Sequence, residues 1–209
     1  MSTSLSFDKI YELRDPLGNR ALRLTWFDDC NWMTKQMAAS LFRGELSTPP
    51  QTLRLHGYMG GQPMDFLWAG MVSIVCISER VMEMLTTNHI TGWSTYPVEV
   101  YDRKGNFLLD YHGFAITGRV GDRDRSRSEV IEVPVYPGSK KSRKVYKGFF
   151  FDESSWDGSD FCTIPGTYYR IVTQAVHDVF KRNKVNNVRL MRLTDVEISV
   201  SLDEFGPEK

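Results

Sequence analysis

On a β-strand, a carboxylate and a histidine two residues apart share a face, and Asp110 and His112 have that spacing. Such a pair can work as a general base and its orienting group. It would need a nucleophile to serve, yet no serine or cysteine can be assigned to that role, and no G-x-S-x-G elbow occurs. The four histidines, His56, His89, His112 and His177, show neither H-E-x-x-H nor another metal spacing. "GYMGG", over Gly57 to Gly61, lacks the Lys-Ser/Thr of a phosphate loop and reads better as a flexible turn. "DRDRSRSE", from Asp122, begins like a calcium loop. It has no glycine at its sixth position and puts Val133 at the twelfth, and its arginines would repel the ion. "GRVG", from Gly118, has the spacing of a KH loop but stands among strands. Paired acids such as Asp152 with Glu153, or Asp157 with Asp160, do not by themselves mark a dyad. No catalytic, cofactor-binding or metal-ligating residue is therefore expected.

Two basic runs say more. "GRVGDRDRSRS" and "GSKKSRKVYK" flank the strand-like "EVIEVPVY", so they belong at connections at its opposite ends. The second run carries Lys140, Lys141, Arg143, Lys144 and Lys147 around Tyr146, a pattern that can track a phosphate backbone or simply solvate a hairpin tip. Composition favours the latter. Lys+Arg and Asp+Glu are equal at 26 each, so no global field draws the chain to nucleic acid or an anionic membrane. No segment approaches the ~20 apolar residues of a membrane helix, and the first residues lack the basic and apolar regions of a signal peptide. Cys30, Cys76 and Cys162 are odd in number and widely spaced, so they read as free thiols of a reducing compartment. The expected location is cytoplasmic.

The elements that must position these groups include one design used twice. Without a gap, "SERVMEMLTTNHITGW" from Ser78 lies over "TQAVHDVFKRNKVNNV" from Thr173, putting Val81 on Val176, Leu85 on Phe180 and Asn88 on Asn183. Each stretch predicts a helix with apolar residues at i, i+3 and i+4, a hydroxyl residue at its N-cap, and an asparagine as left-handed terminator. Strand-like "SIVCI" and "YYRIV" precede them; "YPVEVYD" and "VRLMRL" follow. Elsewhere, "KIYELR" and "ALRLTWF" predict strands about a turn at Asp15 to Gly18. Asp28 or Asp29 is expected to cap a helix through "CNWMTKQMAASLF", closed by Gly44. "DRKGN" predicts a hairpin turn between "PVEVYD" and "NFLLDYHGFAI". The class is α+β, with mixed or antiparallel sheets, a few helices and two similar strand–helix–strand units near 74–100 and 168–193. At 209 residues and 41% hydrophobic, the chain suits one domain, with an N-terminal lobe over 1–72 and a second over 73–209.

The chain also carries a resemblance. Asp65-Phe66-Leu67-Trp68, Ser78-Glu79-Arg80, Tyr96-Pro97-Val98, Gly105, Asp160-Phe161 and Thr173 match, in order, features of the bacterial immunity proteins grouped as immunity protein family eleven. The likeness spans roughly the last two-thirds of the chain and breaks at the basic insertion "PGSKKSRKVYK". It implies a non-catalytic protein that binds and neutralises a cognate protein toxin. Such an inhibitor needs a rigid scaffold and one complementary surface. Recognition is then expected on the charged connections: Arg123, Arg125 and Arg127 on one, Lys140, Lys141, Arg143 and Lys144 on the other. Asp152, Glu153, Asp157 and Asp160 form an alternative acidic face. A nucleic-acid-binding module and an enzyme of unrecognised type are the competing readings.

Overall fold

A computed structural model describes residues 6–30, 32–71 and 73–200. Across them the chain is α+β, with three α-helices packed on four small β-sheets. The helices are α1 (Lys35–Phe42), α2 (Glu79–Thr87) and α3 (Gln174–Arg182). The sheets are mostly antiparallel. Parallel pairs join Gly118–Arg119 to Phe161–Thr163, and Leu53–Met59 to Val98–Tyr101.

The two helix-containing units are built alike. In the first, the hairpin Phe66–Trp68/Val75–Ser78 leads into α2, and the chain returns as Trp93–Tyr96. In the second, Phe161–Thr163/Ile171–Thr173 leads into α3 and returns as Arg189–Arg192. Each leaves a gap between hairpin and returning strand, and an antiparallel strand from elsewhere fills it. Tyr111–Ile116 does so in the first unit, with Gly113 opposite Cys76 and Tyr96. Ile10–Arg14 does so in the second, with Glu12 opposite Ile171 and Met191. The sequence overlay equates Cys76 with Ile171 and Tyr96 with Met191, so even the register is repeated.

The units face each other with reciprocal contacts. Asp65 accepts hydrogen bonds from its own unit's Ser78 Oγ (3.3 Å) and from the other unit's Asn186 N (2.9 Å). Its own amide N donates to Asn186 Oδ1 at 2.8 Å. Asp160, its counterpart in the overlay, repeats the pattern: Thr173 Oγ1 donates to it at 2.7 Å and Thr91 N at 3.0 Å, while Asp160 N donates to Thr91 Oγ1 at 3.1 Å. Thr91 and Asn186 are themselves equivalent positions, just past α2 and α3. The post-helix turns have matching left-handed residues, His89 (φ 54) with Lys184 (φ 52), and Gly92 (φ 80) with Asn187 (φ 56). At Gly92 a Cβ would stand 2.0 Å from Phe161 O, so glycine is required there. Between the units, Val81, Leu85, Val176 and Phe180 are buried in one apolar cluster, with Phe66, Phe114, Phe161 and Phe180 in edge and tilted ring contact.

Several expectations need correction. Asn88 and Asn183 are not the left-handed terminators; both have φ near −90, and the next residue turns left-handed. Each asparagine instead donates Nδ2–H to the carbonyl four residues back, at 2.8 Å. Thr173 makes no side-chain cap to α3, because its hydroxyl is committed to Asp160. Thr34, rather than Asp28 or Asp29, caps α1, and Asp28–Cys30 form a separate 3-10 turn (Asn31 lies outside the described residues). The strand after α2 begins at Trp93, and Val98–Tyr101 leaves for another sheet. Ile10–Arg14 and Arg23–Trp26 also belong to different sheets and form no hairpin. The 72/73 division does not part the cores, since Ile10–Arg14 is the strand that fills the second unit.

Removing either seam carboxylate strands a partly buried set of donors. Asp65→Ala, which also deprives Arg80 of its partner, is expected to cost about 3 kcal/mol in urea unfolding, and Asp160→Ala somewhat less. A loss below about 1 kcal/mol for both would show that the seam contributes little.

Candidate functional site

The residues expected to bind a partner fall into three structural situations. Glu129–Pro134 and Ser142–Lys147 pair as an antiparallel hairpin, with Glu197–Ser199 beside the second strand. The first strand is an open edge of this sheet. At its base the hairpin is anchored on both faces: Val145 is fully buried with Ile131 half-buried beside it, and half-buried Tyr146 stands opposite buried Ile198. The tip stays in solvent. Lys140, Lys141, Arg143 and Lys144 are all exposed, and among the described residues none of them forms an ion pair. Val135 and Tyr136 beside them are 47% and 65% exposed. The cations are interleaved with acids, because Glu132 stands opposite Lys144 and Glu129 opposite Lys147 in the register.

Arg123, Arg125 and Arg127 lie at the other end of the hairpin, roughly 17 Å away by the rise of the intervening strand. Arg125–Arg127 form a 3-10 turn capped by Asp124 Oδ1, which accepts from Ser126 N at 3.0 Å. Arg127 bonds Glu153 at 3.1 Å and lies over the Phe7 and Phe150 rings. Arg123 lies over Tyr146 and Phe149. These two arginines clamp the hairpin to the body of the protein. The basic runs therefore do not merge into one patch.

The acids of the connector are engaged in local hydrogen bonds and one ion pair. Asp152 caps the 3-10 turn Glu153–Ser155, accepting from Ser154 N at 2.9 Å; those bonds hold its carboxyl below the usual range. Asp157 accepts from Arg119 N at 2.7 Å and Ser159 N at 2.9 Å. Asp160 belongs to the seam, and Glu153 pairs with Arg127. All four acids therefore have local partners, and Asp152 and Asp157 stay exposed.

The structure separates the acid and histidine that the sequence offered as a base and its orienting group. Asp110 takes a left-handed φ of 69 and ends outside the strand Tyr111–Ile116, so it does not share a face with His112. His112 Nε2 instead meets Glu79 Oε2 at 2.5 Å. Cys30, Cys76 and Cys162 are buried free thiols. Burial pushes Cys76 up to about 12 and Cys162 higher still, which keeps both as poor nucleophiles. Among the described residues no cluster of three or more His, Cys, Asp or Glu could hold a metal, and no helix is long and apolar enough to cross a membrane. "GYMGG" is partly strand, and Gly60 (φ 65) is needed where a Cβ would strike Ala21 O at 1.8 Å.

Missing from the sequence reading was a cleft of about 640 Å³ walled by Glu12, Tyr58, Trp68, Tyr168 and Arg170. A signal for it lay in the overlay, which sets Tyr168 and Arg170 of "YYRIV" against Ser73 and Val75 of "SIVCI". No protein-family model and no curated protein matches this chain.

The thiol environment makes a direct prediction. In native buffer at pH 8, Ellman's reagent should label none of the three cysteines, and all three should react once denaturant unfolds the chain. Rapid native labelling of Cys76 would contradict its burial.

Proposed function

We propose that this chain is a non-catalytic binding protein of the immunity class, one that neutralises a cognate protein toxin in the cytoplasm by occluding it. The observation that carries the reading is the hairpin tip. It presents Lys140, Lys141, Arg143 and Lys144, without ion-pair partners among the described residues, around exposed Val135 and Tyr136. An apolar and aromatic centre ringed by charge is what protein interfaces use. Arginine clamps at its base limit the motion of this surface, which lowers the ordering cost of binding. The likeness of Asp65, Ser78-Glu79-Arg80, Asp160 and Thr173 to immunity family eleven supports the same reading. These residues lie in the seam and caps, so they speak to scaffold, and partner choice falls to the hairpin, where the likeness breaks.

A nucleic-acid ligand is the second reading, favoured by the same cations. Glu129 and Glu132 stand among them and would repel phosphates, which tips the balance to a protein with an acidic patch.

Co-expression with the toxin encoded by a neighbouring reading frame tests the proposal: cells should survive, and purified toxin should co-elute with this chain. Lys140→Glu with Arg143→Glu should weaken that complex by about tenfold or more, mostly through slower association, while leaving the melting temperature unchanged. A toxin that still kills in the presence of the wild-type chain would remove the proposal. Binding to mixed DNA or RNA with a steep salt slope would move it to the second reading.

A further inference from the structure

The strand Glu129–Pro134 is the open edge of its three-stranded sheet, and its register shows which backbone groups face outward. In an antiparallel pair, residues alternate between those bonded to the neighbouring strand and those turned away from it. Just past the end of this strand, Val135 N donates to Lys141 O at 2.9 Å, so the odd-numbered residues bond inward to Ser142–Lys147. Val130, Glu132 and Pro134 therefore turn their main-chain groups outward. Among the described residues nothing accepts from the Val130 and Glu132 amides. Pro134 has no N–H to offer, and an outward-facing position on an edge is where a sheet tolerates proline. At the other end, Ser128 N already donates to Arg125 O at 3.1 Å. The unpaired edge thus holds two free donors and is bounded at both ends by positions with none to spare. Val130 on it is 53% exposed. Such an edge is a template for another strand.

We propose that the strand added here is the same strand of a second copy of this chain, paired antiparallel about a two-fold axis through Ile131. Self-complementarity favours that occupant. With Ile131 opposite its own equivalent, Val130 N donates to the carbonyl of Glu132 of the partner subunit, and Glu132 N donates to that of the partner's Val130. The partner's two amides do the same in return, so every outward N–H finds a carbonyl. Pro134 falls opposite the partner's Ser128, where a position without a donor meets one whose donor is already spent. The side chains agree as well. Glu132 faces the partner's Val130, Glu129 faces the partner's Val133, and no acid faces an acid. A shift of two residues one way would set Glu132 against the partner's Glu132; the other way would set Ile131 against the partner's Glu129. Two three-stranded sheets become one continuous sheet. Its new ladder stops at Pro134, leaving the two lysine-bearing tips free at opposite ends. The pairing neither requires toxin binding nor blocks the surface proposed for it.

Sedimentation equilibrium of the full-length chain from about 5 to about 500 µM should show a reversible monomer–dimer equilibrium. Over the same range, hydrogen exchange at the Val130 and Glu132 amides should slow several-fold, while the Lys140 amide at the tip stays fast. Two substitutions at Val130 read the register. Val130→Lys puts a cation opposite the partner's Glu132 and should tighten the dimer several-fold; Val130→Glu should weaken it by a similar factor. Both alter an exposed side chain, so the melting temperature at low concentration should hold. Glu132→Pro removes an outward donor on the line where Pro134 already stands, and it should keep the chain monomeric throughout. A wild-type chain still monomeric at about 500 µM would overturn the proposal. So would a dimer that survives Glu132→Pro, or one that Val130→Lys weakens as much as Val130→Glu does. Protection of the two amides only when a toxin is bound would give the edge to a toxin strand instead of a second copy.

Discussion

Two aspartates hold this fold in register. Asp65 and Asp160 each begin a hairpin, and each is satisfied half by its own unit and half by the turn that follows the other unit's helix. A carboxylate turned from water needs those donors, so the two units dock in the one arrangement that supplies them. The apolar stripes of α2 and α3 then meet, and Phe66, Phe114, Phe161 and Phe180 fill the space between. Burial of this cluster drives the docking of the two units, but apolar contact is non-directional. The reciprocal hydrogen bonds give it direction.

Repetition also separates scaffold from use. The seam needs an aspartate, a hydroxyl and a left-handed turn twice over, and it obtains them twice. Residues without a counterpart are released from that duty, and two groups of them stand out. One is the hairpin Glu129–Lys147, outside both units, whose base is clamped by Arg123 and Arg127 while its tip stays in solvent. The other is the cleft, where Glu12 and Arg170 replace a glycine and a valine. Of the acids read as an alternative face, Asp152 and Asp157 accept from turn amides and Asp160 joins the seam. Short carboxylates in turns have backbone amides within reach, and those bonds form before any partner arrives.

Local rules were read well from the sequence because local physics sets them. Apolar spacing placed the inward faces of α2 and α3, hydroxyl residues marked their starts, Gly105 (φ 83) confirmed the turn in "DRKGN", and Gly44 (φ 65) closed α1. Errors came where a side chain had two possible partners. Thr173 was assigned to the helix amides but bonds Asp160, and the helix asparagines reach back to a carbonyl rather than turning left-handed. In each case the competing partner belongs to a neighbouring segment or to a rotamer that periodicity does not report. Asp110 failed as His112's companion for a related reason, since one left-handed residue breaks the alternation of a strand.

What the amino-acid order determined by itself was therefore the class, the repeated unit and the inward faces, all of which depend on contacts within a few residues. Tertiary structure alone decided which strand fills each unit's gap, how the two units cap each other, and that Glu12, Trp68 and Arg170 wall a common cleft. Those outcomes join residues far apart in the chain, as Asp65 and Asn186 are at 121 positions. Closing such distances is decided by the balance of chain entropy against buried area and satisfied polar groups over the whole molecule, a sum that no local window contains.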